Sequence, residues 1–483
     1  MFKLPAQGTQ EDALFEQLET YRQNDLKWRG GKAFGYVYNA GKKAEMIGKR
    51  AFAMYLSENG LDPTAFPSLM RLENEVMALA AGHLGGAEST VGTFTSGGTE
   101  SIMLADKSAR EWAKIHKPHT ETPEMILPTT AHAAFHKAAH YLGLKLINVP
   151  VNPETMRAVP SAMKAAINDN TVLMVGSSPS YAHGVVDPIE ELAGIAKDAG
   201  LLFHVDACVG GWLLPFFKRL GADVPAFDFS VPGVTSISMD LHKYAFTPKG
   251  ASVILYARPE LRQHHAFACD EWTGYTIINM AVQSSKSGGP LAAAWAVLNG
   301  LGDEGYMELA QSVLDATAAI KEGIAAIDGL DIVSRPDFCM LAFTSSQASV
   351  FHIADEMSER GWYIQPQFAF GENHKENIHI SISPGNAHLV EPFLQALAES
   401  VEAAKALPSG QMAAMLEGQI GAMNPSDLGP EVIEGFMGML GVQGASLPER
   451  MATINEVLNI LPPKLKEPML ITFMGQLFRP SKG

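Results

Sequence analysis

Between about residues 70 and 257 the chain alternates short apolar runs with segments of helical spacing, and this constrains its fold more than any other feature. The runs are Met125–Leu127, Leu146–Val149, Thr171–Val175, Leu201–Val205, Thr235–Ser238 and Ala251–Tyr256. Most of them are apolar at consecutive positions, so the strands they form are expected to be covered on both faces. Strands of that kind, with helices between them, build a mostly parallel sheet, and such sheets take ligands beyond their strand ends. The expected class is α/β.

The flanks read differently. Residues 1–69 form an arm, with Leu14, Leu18 and Tyr21 at helical spacing and a glycine-rich turn from Gly30 to Gly35. Residues 70–305 form the large domain. Residues 306–483 form a smaller α+β domain that starts with an amphipathic helix through Ala310 to Ile327 and includes the strand-like Ile378–Ile382. From about residue 408 it ends in a helical extension rich in Met, Gly and Pro.

Composition removes several function classes. With 36 basic and 52 acidic residues the formal net charge is −16, which disfavours a nucleic-acid surface or docking on anionic membrane. Cys208, Cys269 and Cys339 form no CxxC pair and have no metal-like spacing to histidine, so neither disulfides nor a metal site is expected. No uncharged stretch reaches the roughly 18 residues of a membrane span, and the start lacks a basic region followed by an apolar run, so the expected location is cytoplasmic.

The residues that carry chemistry sit at strand ends. Lys243 lies in Ser238-Met-Asp-Leu-His-Lys-Tyr244, 37 positions after Asp206 in His204-Val-Asp-Ala-Cys208. That interval allows a strand-helix-strand excursion back to the same sheet edge. A lysine desolvated between His242 and Tyr244 is expected to have a lowered pKa and to condense with an aldehyde, while a strand-end carboxylate keeps a pyridine nitrogen protonated. Together they are what pyridoxal 5'-phosphate requires. Taken singly, Lys243 reads as a surface charge and Asp206 as a helix cap. Thr95-Ser-Gly-Gly-Thr-Glu100 precedes a helical run, so it reads either as a phosphate-binding helix start or as a turn capped by Thr99. His132, in Ala131-His-Ala-Ala-Phe135, reads as a ring stacked on a planar cofactor or as a capping histidine. Ser178 lies in a Pro- and Gly-containing loop, Ser177 to Gly184, whose hydroxyls face the same cofactor, and His204 reads as a core histidine.

In their order these segments resemble the sphingosine-1-phosphate lyases, within the fold-type I group of pyridoxal phosphate enzymes that also holds amino-acid decarboxylases. The likeness runs from Leu4-Pro-Ala-Gln-Gly8 and Gly35-Tyr-Val-Tyr38 through His183-Gly-Val-Val-Asp-Pro188 and Gly233-Val-Thr-Ser-Ile-Ser238 to Pro248-Lys-Gly250. It implies that Lys243 holds the cofactor covalently, that Asp206 pairs with the pyridine and that His132 stacks on it. It implies further that Gly98, Thr99 and His242 contact the cofactor phosphate. It also implies a homodimer with shared active sites, in which the segment from Ser285 through Gly288 to Gly289 serves the partner, and a small-molecule amine substrate.

The substrate phosphate would be met by Tyr38, Asn59, Asp62 and Lys249, with Tyr38 also counted among the catalytic residues beside Lys243 and His132. Asp62 stands where the family has histidine, and Ile277-Ile-Asn-Met280 and Ser285-Lys-Ser-Gly-Gly289 also depart from the family pattern. The hydrophobic anchor of eukaryotic members is not found at the start of this sequence. The resemblance implies cleavage of the Cα–Cβ bond of a 2-amino-3-hydroxy amine to an aldehyde and phosphoethanolamine. The alternative, amino-acid decarboxylation, uses the same lysine, aspartate and histidine.

Overall fold

In the computed structural model, which describes residues 4–371, 374–422 and 448–478 and isolated positions between 433 and 439, the apolar runs become one sheet. Its strands are β1 (Val91–Thr95), β2 (Glu124–Pro128), β3 (Lys145–Val149), β4 (Thr171–Ser177), β5 (Leu202–Asp206), β6 (Ser236–Met239) and β7 (Ser252–Tyr256). Their spatial order is β1-β7-β6-β5-β4-β2-β3. Strands β2 to β6 pair in parallel, and β4, β5, β6 and β7 are buried along their whole length, as the mainly apolar text of β4 and β7 requires, while β6 buries the two serines of Ser-Ile-Ser-Met against His204 of β5.

Two features of this sheet were hidden in the sequence. Strand β1 reads Val-Gly-Thr-Phe-Thr, and its glycine and two threonines mask the apolar signal. Gly92 is required there, because a Cβ would come within 2.8 Å of the Ile254 carbonyl. Strand β7 runs antiparallel to both β1 and β6, with Met239 opposite Val253 and Thr95 opposite Ser252. The segment between β6 and β7 is therefore a hairpin loop at the carboxyl edge of the parallel strands, without a crossover helix.

A short hairpin of β8 (Phe267–Cys269) and β9 (Ile277–Asn279) follows. The amphipathic helix expected from Ala310 begins much earlier. It spans Gly289–Ala326, across the 305/306 boundary, and is interrupted only at Gly302, whose φ of +61° lies in the left-handed region that glycine tolerates. Beyond it, β10 (Leu330–Ile332), β11 (Met340–Ser345), β12 (Gln365–Gln367) and β13 (Asn377–Ser381) make an antiparallel sheet in the order β10-β11-β13-β12.

The extension contains helices Gln411–Ala422, Ala452–Ile460 and Pro463–Leu477; part of the stretch expected there lies outside the described residues. It has a small core of its own, including Leu416, Val457, Leu465 and Phe473. It docks on the Val350–Glu359 helix, where both carboxylate oxygens of the buried Asp355 accept from the N–H groups of Met451 and Ala452. On the far side, Ala369 N–H donates to Asn459 Oδ1 at 2.7 Å. No helix among the described residues is long and apolar enough to cross a membrane.

Candidate active site

Four strand ends converge at the carboxyl edge of the large sheet. At the end of β1, Thr95 Oγ1 lies 2.6 Å from Ser101 Oγ, which in turn lies 2.9 Å from Ser252 Oγ on β7. These hydroxyls tie the loop Ser96–Gly98 to the sheet. The Gly98–His116 helix begins here with no side-chain cap, so its first N–H groups remain available to an anion and its positive end faces the same way. A Cβ on Gly98 would come within 2.8 Å of Asp240 Oδ2 and of Cys208 Sγ. Only glycine leaves that space open.

At the end of β5, Asp206 is buried and its Oδ1 accepts from the Cys208 N–H at 3.1 Å. After β2, His132 is the N-cap of the Ala133–Leu142 helix, and its Nδ1 accepts from Ala134 N–H at 3.1 Å. The capping and cofactor-facing readings of this ring are thus compatible, since the cap orients it. Burial lowers its pKa, with the charge of Asp206 opposing, so the ring is neutral at physiological pH.

His204, by contrast, is wholly buried between Ser236 and Ser238 and belongs to the core; burial takes its pKa to about 4.

Lys243 sits on the turn after β6, with Nζ 3.0 Å from Asp240 Oδ2. Its pKa does not fall as the sequence suggested. Desolvation pushes it down, but the charges facing it, Asp240 foremost, outweigh that and raise it. Burial alone would lower it; the acid three residues away reverses the sign. Next to it, His242 accepts from Ala251 N–H through Nδ1 at 3.1 Å and turns its Cε1 toward Gly97 of the helix-start loop. Burial takes its pKa to about 4.

These groups enclose a cavity of about 410 Å³, lined by Gly98, Thr99, His132, Asp206, His242 and Lys243 among others. Tyr181 closes it from the small-domain side, stacked on His379 with ring centroids 4.4 Å apart and donating to Gln365 Oε1 at 2.7 Å. Ser178 lies behind Pro179; its N–H donates to the Asp206 carbonyl, and its buried Oγ has no protein partner. Tyr38 and Lys249 lie at the edge nearest Lys243, with Lys249 Nζ over the Tyr38 ring.

The structure does not bring Asn59, Asp62, Ser285 and Gly288 to this cavity within one chain. Asp62, Ser285 and Gly288 line a second cavity of about 1060 Å³ that shares only Ser96 and Glu100 with the first. Asn59 is stitched to that rim, its Oδ1 accepting from the Lys286 N–H. Asp62 is turned into its own loop, where Oδ1 accepts from Thr64 N–H at 2.8 Å and Thr64 Oγ1 at 2.6 Å.

Asp240, Tyr181 and Glu100 were missed from sequence. Glu100 joins the two cavities: Oε2 accepts from Ser96 N–H and Oγ, and Oε1 from Val282 N–H. The signal for Asp240 was present as the spacing Asp-x-x-Lys on a turn.

The donor set fits pyridoxal phosphate. An uncapped helix start with an obligatory glycine suits the phosphate, a strand-end carboxylate suits the ring nitrogen, and a buried amine suits the aldehyde. Among the described residues no cluster of His, Cys, Asp or Glu could hold a metal ion.

Comparison with known proteins agrees. The pyridoxal-dependent decarboxylase conserved domain matches residues 3–346, and a pyridoxal-dependent enzyme C-terminal putative HTH domain matches residues 410–476. A sphingosine-1-phosphate lyase of Arabidopsis thaliana is 39% identical over 90% of this chain and 80% of its own. A probable L-aspartate decarboxylase of Pyrococcus furiosus is 33% identical over 75% of this chain and 94% of its own. The structure of a Burkholderia pseudomallei sphingosine-1-phosphate lyase superposes with a TM-score of 0.79 at 33% identity, covering 87% of this chain and 96% of that one.

Proposed function

We propose, on the premise that the chain belongs to the sphingosine-1-phosphate lyase family of pyridoxal-dependent enzymes, that it cleaves the Cα–Cβ bond of a phosphorylated 2-amino-3-hydroxy amine. The products are an aldehyde and phosphoethanolamine when the substrate is a sphingoid base phosphate. The observation that carries this reading is the cation of Lys249 held over Tyr38 beside Lys243, which puts a phosphate-binding charge within a substrate's length of the covalent site.

Bound at Lys243, pyridoxal phosphate supplies an electron-accepting ring for the pair released at the substrate Cα. The chain's residues do the rest. Gly98, Thr99 and His242 hold the cofactor phosphate, Asp206 keeps a proton on the pyridine nitrogen, and the neutral ring of His132 covers its face, with Ser178 behind. Lys249 and Tyr38 anchor the substrate phosphate. Lys243 would give a proton to Cα, matching the one that leaves the substrate hydroxyl as the aldehyde forms.

The same reading includes a homodimer. Asp62, Ser285 and Gly288 line a cavity other than the one at their own chain's Lys243, with Asn59 tied to its rim, and we assign that rim to the partner's site. We place the protein in the cytoplasm. No nucleic acid is assigned to the C-terminal helices, since acidic residues outnumber basic ones seven to three between 410 and 476.

A second reading, amino-acid decarboxylation, is favoured by the likeness to the Pyrococcus furiosus protein and by Asp62, which puts a carboxylate where a phosphate-binding histidine would stand. Incubating the full chain with sphingosine phosphate and with a panel of amino acids, while measuring aldehyde and CO2 separately, decides between them. Aldehyde without CO2 supports the lyase; CO2 without aldehyde rejects it. Borohydride fixation followed by peptide mapping is expected to place the cofactor on residue 243.

A further inference from the structure

We infer that Asp240 is a positioning residue for Lys243, fixing the amine on the cavity side of its turn and holding the proton that the amine carries whenever it is free. The inference rests on the reading of Lys243 as the cofactor-bearing lysine, and adds to Asp206 a second acid with a separate task.

The geometry is specific. Lys243 N–H donates to the Asp240 carbonyl at 3.3 Å, so the two residues close one turn and their side chains leave it on the same side. Asp240 N–H is tied to the Cys208 carbonyl at 3.1 Å, which roots the turn on the neighbouring strand end. The carboxylate is 2% exposed, with Oδ2 3.0 Å from Lys243 Nζ and 3.7 Å from His242 Nε2. Among the described residues Oδ1 has no geometric hydrogen-bond partner, the nearby Ser252 hydroxyl being turned to the Met239 carbonyl at 3.2 Å. Gly98 lies against both oxygens, so the positive start of its helix supports the charge. An acid so enclosed is stable as an anion only beside a cation.

Other groups face Lys243 as well. Cys208 and Asp206 approach from the end of β5 and Tyr38 from the N-terminal segment, while Lys249 opposes from the same loop. His132 and Tyr181 complete the wall and stay neutral. Among these, Asp240 alone is in hydrogen-bond contact with the amine.

The step it serves is a proton transfer. A substrate arrives as an ammonium ion and must lose one N–H proton before its nitrogen can attack. It would give up a second as it takes the lysine's place, and Lys243, once freed, would gain both and end as the ammonium ion that faces Asp240, so no proton is gained or lost overall. Asp240 favours the acceptor side of that exchange and keeps the proton where it can later be given to Cα.

The test reads the proton affinity of Lys243 without turnover. The full chain, stripped of cofactor, is labelled with trace acetic anhydride from about pH 6 to 11, and the modified peptides are quantified by mass spectrometry against the exposed Lys218 as internal reference. In the wild type, Lys243 should reach half-labelling at least about two pH units above Lys249. Asp240→Asn should bring Lys243 down by at least about one unit, a tenfold rise in labelling at fixed pH, and Asp240→Glu should restore much of the difference. Coincident wild-type profiles of Lys243 and Lys249, or an Asp240→Asn profile unchanged at Lys243, overturn the inference. If Asp240→Asn does not fold, the wild-type comparison decides alone. Cofactor fixed on a residue other than 243 defeats the functional reading instead, and is scored separately.

Discussion

Lys249 holds its ammonium 5.1 Å from the centroid of the Tyr38 ring, and burial, with the nearby charge of Lys243, depresses its pKa to about 8 while Asp240 opposes. The charge is present below that pH and lost above it. A phosphate monoester becomes a dianion above about pH 6, so phosphate affinity is expected to peak between about pH 6 and 8 and to fade above. Lys249→Ala should raise KM for the phosphorylated amine about 10- to 150-fold, the worth of a charged hydrogen bond of about 1.5–3 kcal/mol, with little change in kcat. Steady-state kinetics across this pH range check both statements. The folded pKa lies below the ordinary 10.5, so the unfolded chain binds more protons in between and this group makes stability rise from about pH 8 to 10.5.

Gly98→Ala forces a methyl against Asp240 Oδ2 and Cys208 Sγ. Overpacking of this kind costs about 1–3 kcal/mol, and because the crowding lies at the helix start the loss should appear in cofactor binding. We expect cofactor affinity to fall about 5- to 150-fold, measured by fluorescence titration.

Asp62→Ala tests the orientation of that carboxylate. Hydrogen bonds to Thr64 hold it in its own loop and keep its pKa below the usual carboxylate range. If the carboxylate keeps this orientation during turnover, KM for the phosphorylated substrate changes by less than about twofold, as for a surface substitution. A large fall in KM would mean that the carboxylate swings toward the substrate and repels it.

Asp355→Ala removes the acceptor for two N–H groups at the start of the Ala452–Ile460 helix. The loss of such a cap is worth about 1 kcal/mol, so proteolytic nicking near residues 448–450 should quicken about fivefold. The amount of cofactor fixed by borohydride should not change.

The sheet was legible where its strands are buried on both faces, because β2, β4 and β5 carry apolar runs in the text, such as Met125–Leu127 and Val172–Val175. Strand direction was not, since an apolar run reads the same whichever way it is laid, and β7 took the antiparallel course. Strand β1 was lost to its glycine and threonines. In the site, Lys243, Asp206 and His132 stood out because each follows a readable strand. Asp240 went unnoticed since an acid in a turn is ordinary text, and its meaning appears only when the turn brings it 3.0 Å from the amine. The second cavity was beyond reach, as it depends on the rim around Asp62 and Ser285 meeting Ser96 and Glu100 from distant parts of the chain.

Because β7 returns antiparallel beside β6 and is itself held by β1, the loop bearing Lys243 has both feet planted on neighbouring strands. A loop anchored in this way has no slack with which to re-aim its amine toward a different bond. Any divergence between relatives that cleave a Cα–Cβ bond and relatives that release CO2 must therefore be written in the walls that orient the substrate, at Tyr181, Lys249 and the rim opposite. An engineer wishing to convert one activity into the other should leave residues 240–246 untouched.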